Sequence, residues 1–192
     1  MKIAFIGYGN VGGALGRHLQ QLAHDVTVAT RERPADAVKT AEVVFLATPF
    51  QANESALTPL IQELAGKILV DCTNPVGPGL THGLGSKQSG TEWIQSLLPA
   101  TKVVKAFTIY GFENFENNAY PAYNVKPVMM FCGNDADAKA VVGKLIAELG
   151  WDPLDVGGIE QALHLEHMTL LWVRYVRAGR RSPNLVWAAL RR

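Results

Sequence analysis

The first thirty residues, MKIAFIGYGNVGGALGRHLQQLAHDVTVAT, constrain the fold more than any other stretch. Residues 2–6 are a short apolar run that reads as a fully buried strand. Gly7-Tyr8-Gly9-Asn10-Val11-Gly12 follows, with Gly13 behind it. From there Val11, Ala14, Leu15, Leu19 and Leu22 recur at helical spacing, and residues 26–30 make a second apolar strand. Strand, glycine turn, helix and strand in this order are the setting in which G-x-G-x-x-G signals dinucleotide binding. Gly7 permits the tight turn, Gly9 clears the backbone for a pyrophosphate, and Gly12 lets the helix close on the sheet. The first amides of that helix then face the diphosphate with the positive end of the helix dipole.

The end of the second strand selects between the two nicotinamide dinucleotides. An acidic residue about 20 positions past the glycines suits the ribose hydroxyls of NAD, and a nearby arginine suits the extra phosphate of NADP. The chain here reads Ala29-Thr30-Arg31-Glu32-Arg33. Thr30 offers a hydroxyl and Arg31 a planar fork that matches phosphate. Arg33 is a second cation; a merely solvated basic loop is the plain alternative. Glu32 speaks for NAD but lies between two arginines. NADP is favoured.

Beyond this unit, residues 34–40 read as a short polar crossover and residues 42–48 (EVVFLAT) as a third buried strand closed by Pro49. Residues 50–65 have helical spacing and stop at Gly66, and residues 67–71 (KILVD) form a fourth strand. Buried strands alternating with helices predict an α/β fold with a mostly parallel sheet, helices on both faces. The glycine- and proline-rich stretch 72–90 reads as a loop. A helix over 91–98, a strand over 102–107, a helical turn within 111–124 and a strand over 127–132 follow. Asn134-Asp135 caps a helix ended by Gly150, and residues 152–156 form an edge strand because Pro153 excludes a central place. Residues 159–178 predict a long helix, apolar on more than one face, of the kind that is buried or lies against another subunit.

Ligands of open parallel sheets bind beyond the carboxyl ends of the strands. The glycine turn, Ala47-Thr48-Pro49 and Thr73-Asn74-Pro75 stand at three such ends. Ordinary turn chemistry accounts for the last two equally well. The whole chain of 192 residues fits one domain, with 1–150 as nucleotide-binding core and 151–192 as a C-terminal extension. A formal charge of +1 gives no reason to expect nucleic acid, and no apolar run suits a membrane. No leader is expected, because the first apolar run is short and enters the glycine turn. Cys72 and Cys132 read as buried thiols in a reducing, cytoplasmic setting.

No catalytic triad is apparent, and no metal site is expected from His164, Glu166 and His167. His18, His24 and His82 read as surface residues. Lys105 lies in a buried strand pattern, as proton donor or as one half of an ion pair. A cofactor site without an evident acid or base fits direct hydride transfer between two redox rings, which chiefly needs positioning.

Taken together, GYGNVGG (7–13), Thr30-Arg31, VFLATP (44–49), KILVDCTNP (67–75), VVKAF (103–107) and the segment from Gly157 onward (GGIEQALHLEHMTLLWV) resemble the coenzyme F420-dependent NADP oxidoreductase family. That domain also forms the cytoplasmic part of six-transmembrane metalloreductases. The resemblance implies a Rossmann-type, doubly wound domain that binds NADP(H) at Gly7, Gly9, Asn10 and Val11, with the 2′-phosphate near Thr30 and Arg31. It implies a nicotinamide near Ala47-Thr48-Pro49 and Asn74-Pro75, and a small-molecule redox acceptor, coenzyme F420 or a flavin. Tyr8 and Thr108 depart from the family pattern, which usually has a small or hydroxyl residue at the first position and Asn at the second. Two other readings stay open. One is a reductase resembling pyrroline-5-carboxylate reductase with its site shared across a homodimer; it needs an acid or base in 72–90 or on the last helix. The other is a non-catalytic NADP(H)-binding module.

Overall fold

The computed structural model describes residues 1–192. In chain order the elements are β1 (Lys2–Ile6), α1 (Asn10–Gln21), β2 (Asp25–Val28), α2 (Pro34–Thr40) and β3 (Val43–Leu46). Then come α3 (Asn53–Leu57), α4 (Ile61–Leu64), β4 (Ile68–Asp71), β5 (Val76–Gly77), β6 (Thr81–His82), α5 (Gly90–Leu97) and β7 (Lys102–Lys105). The chain closes with α6 (Glu113–Glu116), β8 (Val128–Gly133), α7 (Ala136–Glu148), β9 (Asp152–Asp155) and α8 (Ala162–Val173).

Seven strands form one sheet in the order β2-β1-β3-β4-β7-β8-β9. All neighbours are parallel except β7 and β8. The chain leaves β1 toward one edge and returns at β3 toward the other, the strand-order reversal of a Rossmann-type, doubly wound sheet. The period of two explains why its strands read as unbroken apolar runs. Ile3 and Phe5 enter one core cluster while Ala4 and Ile6 enter the other; Val43 and Phe45 separate from Val44 and Leu46 in the same way. The first cluster is closed by Leu15 and Leu19 of α1, Val142 and Ile146 of α7, and Trp172 beyond. The second is closed by Val38, Leu57, Leu60, Leu64 and Ile94 from α2–α5. Phe5 and Phe45 stack across the β1–β3 pair with ring centroids 4.8 Å apart.

Several expectations need correction. The short crossover over 34–40 is a seven-residue helix with one apolar side rather than polar throughout: Pro34 starts it at a position that needs no amide, and Ala37 and Val38 bury its inner face. The helix expected over 50–65 is broken, with α3 and α4 separated by a 3-10 turn at Thr58–Leu60 that contains Pro59. The loop 72–90 contains an antiparallel hairpin, β5–β6. The second strand is exposed at the sheet edge rather than buried. The last helix is regular over α8 and continues as a π-helical turn, Arg174–Ala178. The following tail is tied down: Val128 donates its amide to Trp187 O at 2.8 Å, and Trp172 Nε1 donates to Leu185 O at 2.8 Å.

Candidate functional site

Parallel register brings the carboxyl ends of β1, β2, β3, β4 and β7 to one edge of the sheet. At its centre is the glycine turn. Gly7 has φ of +88°, and a Cβ there would sit 2.7 Å from the Ala47 carbonyl and 2.8 Å from Thr48 N. Conformation and close approach both require glycine. A Cβ on Gly12 would run into the carbonyl oxygen of Gly7, so the start of α1 is pressed onto the turn. Gly9 is different: a Cβ there meets nothing within 4 Å. Its lack of a side chain serves open space, not packing.

Gly9 is the N-cap of α1, with no side-chain cap and no acid in the first turn. The exposed Asn10 and half-buried Val11 therefore start a helix whose end is ready for an anion. Tyr8 turns its ring away, over Gly16 and edge-on to Phe5 at 5.6 Å. Only its main chain is left facing the turn.

Past β2, Thr30 Oγ1 accepts the Arg33 amide at 3.3 Å, and Arg33 Nε pairs with Asp36 Oδ2 at 2.7 Å. Arg31 is exposed and paired with no carboxylate. Past β3, Ala47 and Thr48 are half-buried against the turn, while exposed Pro49 opens a 3-10 turn. Past β4, Asn74 Nδ2 donates to Thr108 O at 3.4 Å and Asn74 Oδ1 accepts from Thr169 Oγ1 at 3.1 Å. Pro75 is buried, and its carbonyl accepts the amide of Gly83, which closes the β5–β6 hairpin. The structure thus gathers the glycine turn, Thr30, Arg31 and Ala47-Thr48-Pro49 along one edge, with Asn74 and Pro75 drawn into the packing of the hairpin and α8.

Behind Thr48 lies a buried polar network of which the sequence marks only Lys105, as one half of an ion pair. Asp71 and Lys105 are register partners on β4 and β7, on the face where Leu69 and Val103 are apolar. Lys105 Nζ lies 3.1 Å from Asp71 Oδ2 and 3.0 Å from Glu166 Oε1, and donates to Thr73 O at 2.5 Å. Burial alone pulls the ammonium pKa down, but the Asp71 and Glu166 carboxylates outweigh it and hold it above the ordinary lysine value. Lys105 is therefore an ion-pair cation, not a proton donor at neutral pH. Glu166 also accepts the Gly90 amide at 2.9 Å and bonds His82 Nε2 at 2.8 Å.

His82 is buried, not a surface residue. Its Nδ1 accepts the amides of Leu84 and Ser86 at 3.3 and 3.2 Å, which leaves Nε2 as the nitrogen that donates to Glu166. Of the remaining histidines, His167 Nε2 meets Ser86 Oγ at 2.9 Å, His24 meets Glu148 at 3.0 Å, His18 is half-buried on α1, and His164 is exposed. The signal for the network was a lone polar residue inside an apolar pattern, at Asp71, Lys105 and Glu166; nothing in the spacing joined them. Cys72 and Cys132 are buried free thiols, and burial raises both pKa values, that of Cys132 to about 12.

With this geometry in hand, comparison with known proteins is specific. The family model described as NADP oxidoreductase, coenzyme F420-dependent, matches residues 2–37 and 32–75, the stretch that carries the glycine turn, Arg31 and the ends of β3 and β4. The crystal structure of a putative F420-dependent NADP-reductase from Arthrobacter sp. FB24 superposes with a TM-score of 0.89 at 32% identity over 100% of both chains. This chain belongs to the coenzyme F420-dependent NADP oxidoreductase family. Among curated members of this family's kin, the F420-dependent NADP reductase of Methanocaldococcus jannaschii is 32% identical over 148 residues, 72% of this chain and 63% of that protein. The metalloreductase STEAP3 of Rattus norvegicus is 32% identical over 184 residues, 88% of this chain and 36% of that protein. The chain thus spans about a third and somewhat under two thirds of these relatives. No helix of the chain is long and apolar enough to cross a membrane.

Proposed function

We propose that this chain is an NADPH-dependent oxidoreductase whose acceptor is a deazaflavin or flavin, coenzyme F420 first among them. The observation that carries the reading is the uncapped start of α1, with open space at Gly9, on the same sheet edge as the unpaired Arg31. An anion-ready helix end and a free guanidinium are the two charges that a pyrophosphate and a 2′-phosphate require. A dinucleotide held there would bring hydride-transfer chemistry to the site.

The residues of the chain bind and orient. The main chain of Gly7–Gly12 holds the diphosphate, Thr30 and Arg31 hold the 2′-phosphate, and Ala47-Thr48-Pro49 line the nicotinamide end with Asn74-Pro75 behind. Arg33 serves second, because Asp36 already holds it. Positioning without an acid or base is sufficient when both reactants are redox rings. The alternative of a small-substrate reductase requires a free acid or base near this edge. His82, Glu166 and His167 are in the required segments, but the first two are buried and bonded to each other and His167 is bonded to Ser86 Oγ. That saturation favours the flavin-type acceptor.

The exposed stripe on the last helix, with Leu171 at 57% and Tyr175 at 46% exposure, supports a homodimer as the working unit. Two free cysteines fit a reducing compartment such as the cytoplasm. The direct test is anaerobic NADPH oxidation by the purified protein, with coenzyme F420, FMN and FAD offered in parallel and NADH as control. Turnover with NADPH and one acceptor is expected. Tight NADPH binding with no turnover on any acceptor would replace this reading with the non-catalytic module.

A further inference from the structure

The buried network fixes more than stability: it fixes the direction of the hydrogen bonds that reach the site. Asp71 is fully buried, and as a carboxylate it only accepts. Its Oδ1 takes the Thr73 amide at 2.9 Å and the Thr73 hydroxyl at 2.7 Å; its Oδ2 takes the Thr91 hydroxyl at 2.7 Å and Lys105 Nζ at 3.1 Å. The one hydroxyl proton of Thr73 is therefore committed. Thr73 Oγ1 then has only lone pairs left for Asn53, and Asn53 Nδ2 lies 3.0 Å away. Turning the Asn53 amide over would set its oxygen against that proton-less oxygen, so the network itself assigns the amide orientation. Asn53 Oδ1 in consequence points at Thr48 and takes its hydroxyl proton at 2.7 Å. Every donor in the string points toward Asp71. Thr48, half-buried and against the glycine turn, is left with lone pairs only.

From this polarity we infer that Thr48 is a specificity-determining acceptor for an N–H donor of the ligand, with Asp71, Thr73 and Asn53 as positioning residues behind it. The inference rests on the proposed cofactor reading. The polar handle of a nicotinamide ring is a primary carboxamide, which carries two N–H donors. A ketone in its place has none. A site with a committed acceptor discriminates against a ligand that lacks the matching donor, because the acceptor is left unpaired once the ligand covers it.

The experiment is calorimetric titration of NADPH and of the reduced 3-acetylpyridine analogue of NADP into the full chain, and into Thr48→Ser, Thr48→Val and Asn53→Ala. The parent is expected to bind NADPH about tenfold to a hundredfold more tightly than the ketone analogue. Thr48→Ser should keep that ratio and Thr48→Val should bring it toward unity. In Asn53→Ala the Thr48 proton is released to donate, so the ketone should gain on the carboxamide; far-ultraviolet dichroism verifies that this variant is folded. Equal affinity of the parent for both ligands, or an unchanged ratio in Thr48→Val, overturns the inference while NADPH binding stands. If the parent binds no NADPH at all, the cofactor reading falls and the inference with it.

Discussion

Lys105 occupies a position where the alternation of β7 calls for an apolar side chain. An ammonium is tolerated there because Asp71 on the adjacent strand and Glu166 on α8 both face it. Removal of one member of a buried ion pair leaves the others uncompensated, at a cost of about 3–5 kcal/mol. Lys105→Met is therefore expected to lose about that much stability in urea-induced unfolding, and a loss below about 1 kcal/mol contradicts the arrangement. The sign of the pH dependence follows. The lysine pKa is raised on folding, so its contribution is whole below the ordinary value of 10.5 and declines only as pH rises through the raised value. At neutral pH this group gives the unfolding midpoint no pH dependence.

At the scale of elements, the glycine turn separates two roles that a bare motif conflates. Gly12 is needed for packing of α1 against Gly7, whereas Gly9 faces open space with φ of −75°. Gly9→Ala should therefore change stability by less than about 1 kcal/mol yet weaken NADPH binding. Gly12→Ala should lose both stability, by about 1–3 kcal/mol, and binding. Chemical unfolding beside a fluorescence titration of NADPH tests the pair, and undiminished affinity in Gly9→Ala contradicts the placement of the diphosphate.

The same scale shows what could be read from the chain. β1, β3, β4 and β7 were readable because strands covered on both faces are continuous apolar runs. The break near Pro59 was not, because a 3-10 turn keeps Ala56, Leu60 and Leu64 close to helical spacing. The hairpin β5–β6 was hidden by the glycines and prolines that flank it. Around the site, the glycine turn and Arg31 were evident because their neighbours in sequence define them. The string from Thr48 through Asn53 and Thr73 to Asp71, and its link to Glu166, was not, since tertiary packing alone brings those residues together.

At the scale of the whole molecule, the C-terminal segment does not stand apart from the nucleotide-binding core. Trp172 and Val176 belong to the same cluster as Phe5 and Phe45, and Glu166 reaches the sheet through Lys105. The opposite side of the last helix leaves Leu171 and Tyr175 exposed. In sedimentation velocity the chain is expected to run as a dimer and Leu171→Asp as a monomer; a monomeric parent contradicts the dimer. The claim on which the functional account depends is that this sheet edge holds NADPH by its 2′-phosphate. It is tested most directly by calorimetric titration of the parent and of Arg31→Ala with NADPH and NADH, with 2′,5′-ADP as competitor. The account predicts that the parent favours NADPH by at least about tenfold, roughly 1.4 kcal/mol. It also predicts that 2′,5′-ADP competes and that Arg31→Ala weakens NADPH far more than NADH. Equal affinity of the parent for the two cofactors, or equal loss of both in Arg31→Ala, would contradict it.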